Sequence, residues 1–412
     1  MERMEKYMSV KMEIPSEDAL RSAVLNGRIK PRTATDAAVT GCAREEVKDF
    51  AQKISDDMGL GINLGNTFDA VVKPDSPVKG LDIETAWHNP KTTREMIAAI
   101  REGGFKTLRL PVSWHNHVSG PQDTVEPEWM DRIEEVVNWC MEEGMYVILN
   151  THHDICPGFL LPDNDNIDRS REFMRNIWMQ IARRFRQHSE EKLLFESMNE
   201  IRVRGTDYEW TPDYDNKDCI DAMRNVNTLN QVFVDTVRAE GYKNSERCLI
   251  IPGYSTSTEG VCWDGFTLPQ DTIPGRLFVA AHMYSPAHFA FFLKEGANLL
   301  TFDIDDPTST DPIDERLTKL YDKFVANGIP VALDEFGTVD KENDPERVKC
   351  LAYTLAKATQ LGIRCCYWDN GVFFRYGDGM AIFDRKDLSF PRREPVDAML
   401  RGIRVFDDDS VS

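Results

Sequence analysis

LLFESMN, residues 193–199, runs directly into Glu200. A few apolar residues stand together with no turn signal among them, and the run ends on polar and ionisable side chains. A strand of a parallel sheet, buried on both faces, reads this way. The pattern recurs along the chain in GLGINLG (59–65), KTLRLPV (106–112), YVILNTH (146–152), CLIIPG (248–253), LFVAAHMY (277–284), PVALDEF (330–336) and IRCCYWD (363–369). Between these runs lie stretches of helical periodicity. TREMIAAIREGG (93–104) ends on two glycines, and PEWMDRIEEVVNWCMEEGM (127–145) begins with proline and stops near Gly144, the asymmetry expected of helix starts and ends. Further helices are predicted over 170–188, 218–241, 314–328, 344–362 and 395–403, with only a weak signal over 259–274.

Eight strands alternating with helices form right-handed βαβ units, and eight such units close into a (β/α)8 TIM barrel. A doubly wound open sheet is the rival. Its dinucleotide-binding members carry GxGxxG between strand and helix, whereas GLGINLGN (59–66) has its glycines at other spacings and no helix start after them. The division expected is an N-terminal extension over 1–45, the barrel over 46–405 and an acidic tail over 406–412. The long connections 200–217 and 285–312 are expected to wall a cleft.

The 412 residues are 41% hydrophobic and 29% charged, which supplies a sizeable core, and the net charge is -20. Such a surface repels nucleic acid and anionic membranes, so neither is an expected partner. No stretch approaches the roughly 18 uninterrupted apolar residues of a membrane helix. The start, MERMEKYMSVKMEIPSEDALRSAV, holds no signal-type apolar core. The chain is therefore expected to be cytoplasmic as written, or secreted with its leader missing. The nine cysteines are scattered, odd in number and without CxxC pairs, a pattern of reduced thiols rather than of a disulfide framework or zinc site. A monomer is expected.

A barrel places its functional residues at the C-terminal ends of its strands. There stand Asn63 and Asn66, Arg109, His152–His153–Asp154, Asn199 and Glu200, His282 and Tyr284, Glu335, and Trp368–Asp369–Asn370. Retaining glycoside hydrolysis needs two carboxyl groups about 5–5.5 Å apart, one to protonate the leaving oxygen and one to attack the anomeric carbon. Glu200 and Glu335, on strands four and seven, could face one bond from two sides. Arg109 and Tyr284 could hold Glu335 ionised, His282 could tune the proton of Glu200, Asn199 could bind a sugar 2-hydroxyl, and Trp368 offers a face for a sugar ring.

GINLGNTFDA (61–70), ETAWHNP (84–90), LRLPVSWHNHV (108–118), VILNTHHD (147–154), ESMNEIR (196–202), HMYSP (282–286), LDEFG (333–337) and YWDNG (367–371) resemble glycoside hydrolase family 5 of clan A, over about residues 55–403. ETAWHNP and WHNHV are most similar to its fourth subfamily, which cleaves β-1,4-glucans, mixed-linkage glucan and xyloglucan among them. The resemblance implies Glu200 as acid/base and Glu335 as nucleophile. It implies supporting roles for Arg109, His152, Asn199, His282 and Tyr284, a platform at Trp368 and sugar contacts at Asn66, His153 and Asn370. No cofactor or metal is implied; the expected partner is a β-glucan polysaccharide or oligosaccharide. Two departures stand out. His88 replaces the usual glycine of the ETAWGNP-type motif, and the loop after strand six lacks a tryptophan, with Phe302 nearby.

Other readings stay open on the residues alone. The substrate could be mannan or xylan. The strand-end His, Asp and Glu could hold a catalytic metal, although such sites usually begin with His-x-His on strand one. A barrel that binds glycans without cleaving them is a third reading. His115 and His117 stand at even odds between a supporting role and loop packing.

Overall fold

The structure is a computed structural model that describes residues 12–31, 50–294, 299–373 and 379–406. Of the extension over 1–45, only 12–31 lie within these; of the tail over 406–412, only Phe406. Eight strands close a parallel barrel: β1 (Gly61–Leu64), β2 (Thr107–Leu110), β3 (Tyr146–Asn150), β4 (Leu193–Glu196), β5 (Leu249–Ser257), β6 (Leu277–Met283), β7 (Val331–Phe336) and β8 (Arg364–Asp369). β8 returns beside β1, with Gly61 opposite Cys366. A Cβ at Gly61 would lie 2.2 Å from the Cys366 sulfur, so closure there requires glycine. An antiparallel hairpin, 118–119 with 124–125, is the only other sheet among the described residues.

The helices are α1 (Glu17–Asn26), α2 (Phe50–Asp57), α3 (Arg94–Glu102), α4 (Pro127–Glu142), α5 (Ile167–Arg184), α6 (Lys217–Ala239), α7 (Pro307–Lys323), α8 (Asp344–Gln360) and α9 (Glu394–Arg404). Caps explain several starts: Thr93 accepts from the Met96 N–H, and Asn216 from Asp218 and Cys219. The weak signal after β5 corresponds to one short turn of helix, Thr258–Cys262. α7 begins at Pro307, seven residues before the expected 314, behind Asp306 as N-cap. Pro312 lies inside it, where proline ordinarily breaks a helix; burial of Ile313, Leu317 and Leu320 holds the segment helical. None of the described helices is long and apolar enough to cross a membrane.

α2 closes the barrel floor. Ala51, Ile54 and Met58 pack on Ile148, Leu194, Ile250, Phe278, Ala280 and Cys366, which fill the lower bore. Arg364 Nε donates to the Ser55 carbonyl, and the Tyr146 hydroxyl donates to Asp57.

The segment 12–31 runs outside the helix layer. α1 packs on α8 and α9, burying Leu20 and Val24 completely, and Arg401 donates to the carbonyls of Ile14 and Pro15. Leu20→Ala should therefore lower stability by about 2–5 kcal/mol, read as a lower denaturant midpoint at unchanged activity per folded molecule. An unchanged midpoint would mean that the segment 12–31 contributes nothing to the fold.

Candidate active site

Arg109 on β2 has no exposed surface. Its Nε and Nη2 donate to both oxygens of Glu196, each at 2.7 Å, and Nη1 donates to Glu335 Oε1, also at 2.7 Å. Nη1 also reaches Asn63 Oδ1 and Nη2 reaches Asn199 Oδ1, both at 2.9 Å. One planar cation thus fixes four side chains from β1, β4, β7 and the turn after β4, a task suited to the fork of donors in a guanidinium.

Glu335 sits on β7 and is almost wholly buried. Its second oxygen accepts from the Tyr284 hydroxyl at 2.9 Å. Glu200 follows β4. His282 Nδ1 lies 2.9 Å from Glu200 Oε1 and 3.4 Å from Glu335 Oε2, so one ring nitrogen looks at both carboxylates. A carboxylate oxygen of each glutamate and a nitrogen of His282 all fall within 4.8 Å of one another. Glu200 has φ of 39°, in the left-handed region that side chains disfavour. Its N–H is tied to Thr256 Oγ1 at 2.9 Å and its carbonyl accepts from Arg202 at 2.7 Å. Ser255 and Thr256, at φ 49° and 47°, share the strain, and such strain gathers where surroundings must aim a functional group.

The charges are unevenly settled. Burial disfavours a charge on His282, but the carboxylate of Glu335 and the hydrogen bond from Glu200 outweigh it and push the imidazole up to about 9. Burial also opposes ionisation of Glu200; the bond and charge of His282, with Arg202, override it and hold Glu200 below its ordinary value. For Glu335 burial prevails over His282 and Arg109, and its carboxyl is raised. Burial, and then the charge of Glu196, raise Asp334 well above its ordinary value. His282, pushed up to about 9, stands between the two glutamates. His152 is neutral: burial, then the neighbouring His153, Arg109 and His282, drive it well below its ordinary value. Its Nδ1 meets the Asn150 amide at 3.1 Å, which leaves the ring proton on Nε2, 4.0 Å from Glu335 Oε1.

The Trp368 ring is stacked on His152 at 5.7 Å and 3°. A Cβ at Gly65 would lie 2.8 Å from the Trp368 ring, so glycine makes room for the indole. His153 sits 3.7 Å from Asp69 and against Trp87, and the Asn66 N–H donates to Asp69 at 3.0 Å. Asn370 is fully buried; its side-chain oxygen accepts from Val372 and Met380, holding the loop after β8. His88 is exposed at φ 73°, which explains why glycine suits that position. Phe302 is core, packed on Phe289 and Tyr353. Trp114, Trp129 and Trp178 are core too, whereas Trp210 is exposed beneath Arg202 at 3.6 Å.

The sequence reading did not single out Glu196, Asp334, Asn150, Asp69 or Thr256. A buried arginine requires more than one partly solvated carboxylate; that requirement, applied to Arg109, calls for a second acidic partner without saying which residue supplies it. Among the described residues, three groups bring ligating atoms within 4.8 Å: Asp69 with His152 and His153, Glu196 with His282 and Asp334, and Glu200 with His282 and Glu335. In the last two, most of the carboxylate oxygens already face Arg109, Tyr284 or His282.

A family model described as Cellulase (glycosyl hydrolase family 5) matches residues 71–373. Endoglucanase 1 of Ruminococcus albus is 38% identical over 345 residues, 83% of this chain and 78% of its own. Endoglucanase A of Ruminococcus albus is 35% identical over 376 residues, covering 90% and 97%. A solved GH5 family lichenase from Caldicellulosiruptor sp. F32 superposes with a TM-score of 0.85 at 40% identity, covering 92% of this chain and 100% of that one. A GH5-4 broad specificity endoglucanase from Ruminococcus champanellensis with bound cellotriose gives 0.78 at 36% identity, covering 85% and 98%.

Proposed function

The chain belongs to glycosyl hydrolase family 5, and from that premise we propose that it is a retaining endo-β-1,4-glucanase with Glu335 as nucleophile and Glu200 as acid/base. The observation that carries the reading is the approach of the two carboxylates to within 4.8 Å around His282, close to the separation that double displacement needs. Relatives named as endoglucanases and a lichenase, and a neighbour that binds cellotriose, support a β-glucan as substrate.

Trp368 and His153 bind sugars on the glycone side, and the Asn199 amide donates to the 2-hydroxyl of the sugar under attack. Substrate displaces water over Glu200, and the proton crosses the 2.9 Å bond from His282 to Glu200. Glu335, steered by Arg109 and Tyr284, then attacks the anomeric carbon. The glycosidic bond breaks as Glu200 gives its proton to the leaving oxygen. Glu200, now a carboxylate, takes a proton from water; the hydroxide attacks the same carbon and frees Glu335. No step calls on a metal or cofactor.

The test is sugar release from mixed-linkage glucan, xyloglucan, carboxymethylcellulose, mannan and xylan, each with and without excess EDTA. Oligosaccharides should appear from the β-glucans at rates EDTA leaves unchanged. Release from mannan or xylan alone would reject the substrate assignment, and loss in EDTA would reject the two-carboxylate mechanism.

The His282–Glu200 pair sets an alkaline limit. Below about 9 the pair holds the proton that the leaving group needs; as pH rises through that value the proton is lost and kcat/KM falls. In His282→Gln the proton must rest on Glu200 alone. The alkaline limb of the kcat/KM profile should then move to lower pH, and activity should fall more at alkaline than at acid pH. An unmoved limb would show that His282 takes no part in holding the proton.

A further inference from the structure

The turn after β4 carries more than Glu200. Arg202, two residues on, has a side chain only 13% exposed. Its Nη1 donates to the Glu200 carbonyl at 2.7 Å and stands 3.7 Å from Glu200 Oε2. Its Nε donates to Glu209 Oε1 at 3.2 Å, and Glu209 Oε2 accepts from the Gly205 N–H at 2.8 Å. The guanidinium carbon lies 3.6 Å from the centre of the Trp210 ring. Trp210 is 55% exposed, the most exposed of the described tryptophans.

We propose that Arg202 is a positioning residue for the leaving half of the substrate: it holds the Trp210 indole, as a platform for the aglycone sugars of the glucan, in fixed relation to Glu200. The inference rests on the reading of Glu200 as acid/base, because the group that protonates the leaving oxygen marks the side on which the leaving sugar lies.

An exposed indole keeps a large apolar face in water, and a side chain on a loop ordinarily samples several rotamers. Here a cation at van der Waals distance holds the ring. That cation is itself tied to Glu200 and Glu209, so the platform is ordered before a sugar arrives and little entropy is lost on binding. The end of β5 supports both partners: Thr256 Oγ1 accepts from the Glu200 N–H at 2.9 Å, and the adjacent Ser255 Oγ donates to the Trp210 carbonyl at 3.5 Å. In the closed barrel β4 stands four strands from β8 in either direction. The loop of Trp210 and the strand end of Trp368 therefore belong to opposite edges of the rim. A glucan chain lying across the rim meets Trp368 with its glycone and Trp210 with its aglycone, which suits cleavage inside a chain rather than at its end.

The experiment uses the folded full chain with β-cellobiosyl fluoride, whose leaving group has no ring to rest on a platform, and cellobiose as added acceptor. The C–F bond breaks as Glu335 bonds the anomeric carbon, and fluoride leaves with the proton of Glu200. The cellobiosyl group then passes to water or to a hydroxyl of the acceptor, and Glu200 takes the proton in either case. The ratio of transfer to hydrolysis, from tetrasaccharide formed and fluoride released, thus reads the aglycone site and not the acid/base. Trp210→Ala should lower this ratio by at least about tenfold, and Trp210→Phe, which keeps a flat ring, by less than about threefold. Arg202→Lys keeps the charge but not the flat face and should lower it by about fivefold. The double variant should be no worse than Trp210→Ala alone, because Arg202 acts through Trp210. Circular dichroism establishes that the variants are folded. An unchanged ratio in Trp210→Ala, losses that multiply in the double variant, or hydrolysis without transfer by the unaltered chain would each overturn the proposal while leaving the two glutamates in their roles. No release of fluoride by the unaltered chain would overturn the reading of the glutamates and this inference with it.

Discussion

Glu335→Gln is expected to lower kcat on mixed-linkage glucan by about 10⁴-fold or more, with KM and the unfolding midpoint near those of the unaltered chain. The amide keeps the volume of the side chain and one oxygen to accept from Arg109 or Tyr284, both within 2.9 Å of the carboxylate, so the barrel should not be disturbed. What disappears is the charged oxygen that attacks carbon. The neighbour responds as well: Glu335 contributes the largest of the influences that raise His282, so the imidazole should titrate lower in the variant, which NMR of the ring can follow. A variant retaining a rate within tenfold of the original would remove Glu335 from the chemistry.

Glu200→Ala is expected to separate the two steps. On glucan, whose leaving sugar needs a proton, the rate should fall by about 10³-fold or more. An aryl cellobioside with an acidic phenol needs no such help, so its first step should be nearly spared while hydrolysis of the intermediate slows for want of a base. A burst of phenol, equal to the enzyme present and followed by slow turnover, is the result to look for; azide should speed that turnover by attacking without deprotonation. Equal losses on both substrates and no burst would assign Glu200 another task. Alanine keeps the Cβ at φ 39°, so the backbone strain there is unchanged by the substitution.

The barrel was legible because each strand is a short apolar run that stops at a polar residue, and eight such runs admit few arrangements. The rim residues were legible from the same punctuation, since Arg109, Glu200, His282 and Glu335 stand where the apolar runs end. Less was legible where tertiary burial overrides local signals. Pro312 reads as a breaker, yet α7 runs through it because its apolar face is covered. FAQKISDD reads as an unremarkable polar stretch, yet it forms α2 and closes the barrel floor. Glu196 and Asp334 sit inside strands, where an acidic residue in a sequence gives no hint that it faces a buried guanidinium. Only the register of β2 with its neighbours reveals that Arg109 lies between them. The left-handed conformations at Glu200 and Thr256 are likewise invisible in residue types that do not favour them.

The central claim is double displacement by Glu335 and Glu200, and the anomer released first tests it most directly. Proton NMR during the first minutes of hydrolysis of a soluble β-glucan oligosaccharide should show the β-anomer of the new reducing end, with the α-anomer growing in only at the rate of mutarotation. The α-anomer appearing first would mean direct attack by water and would contradict the account.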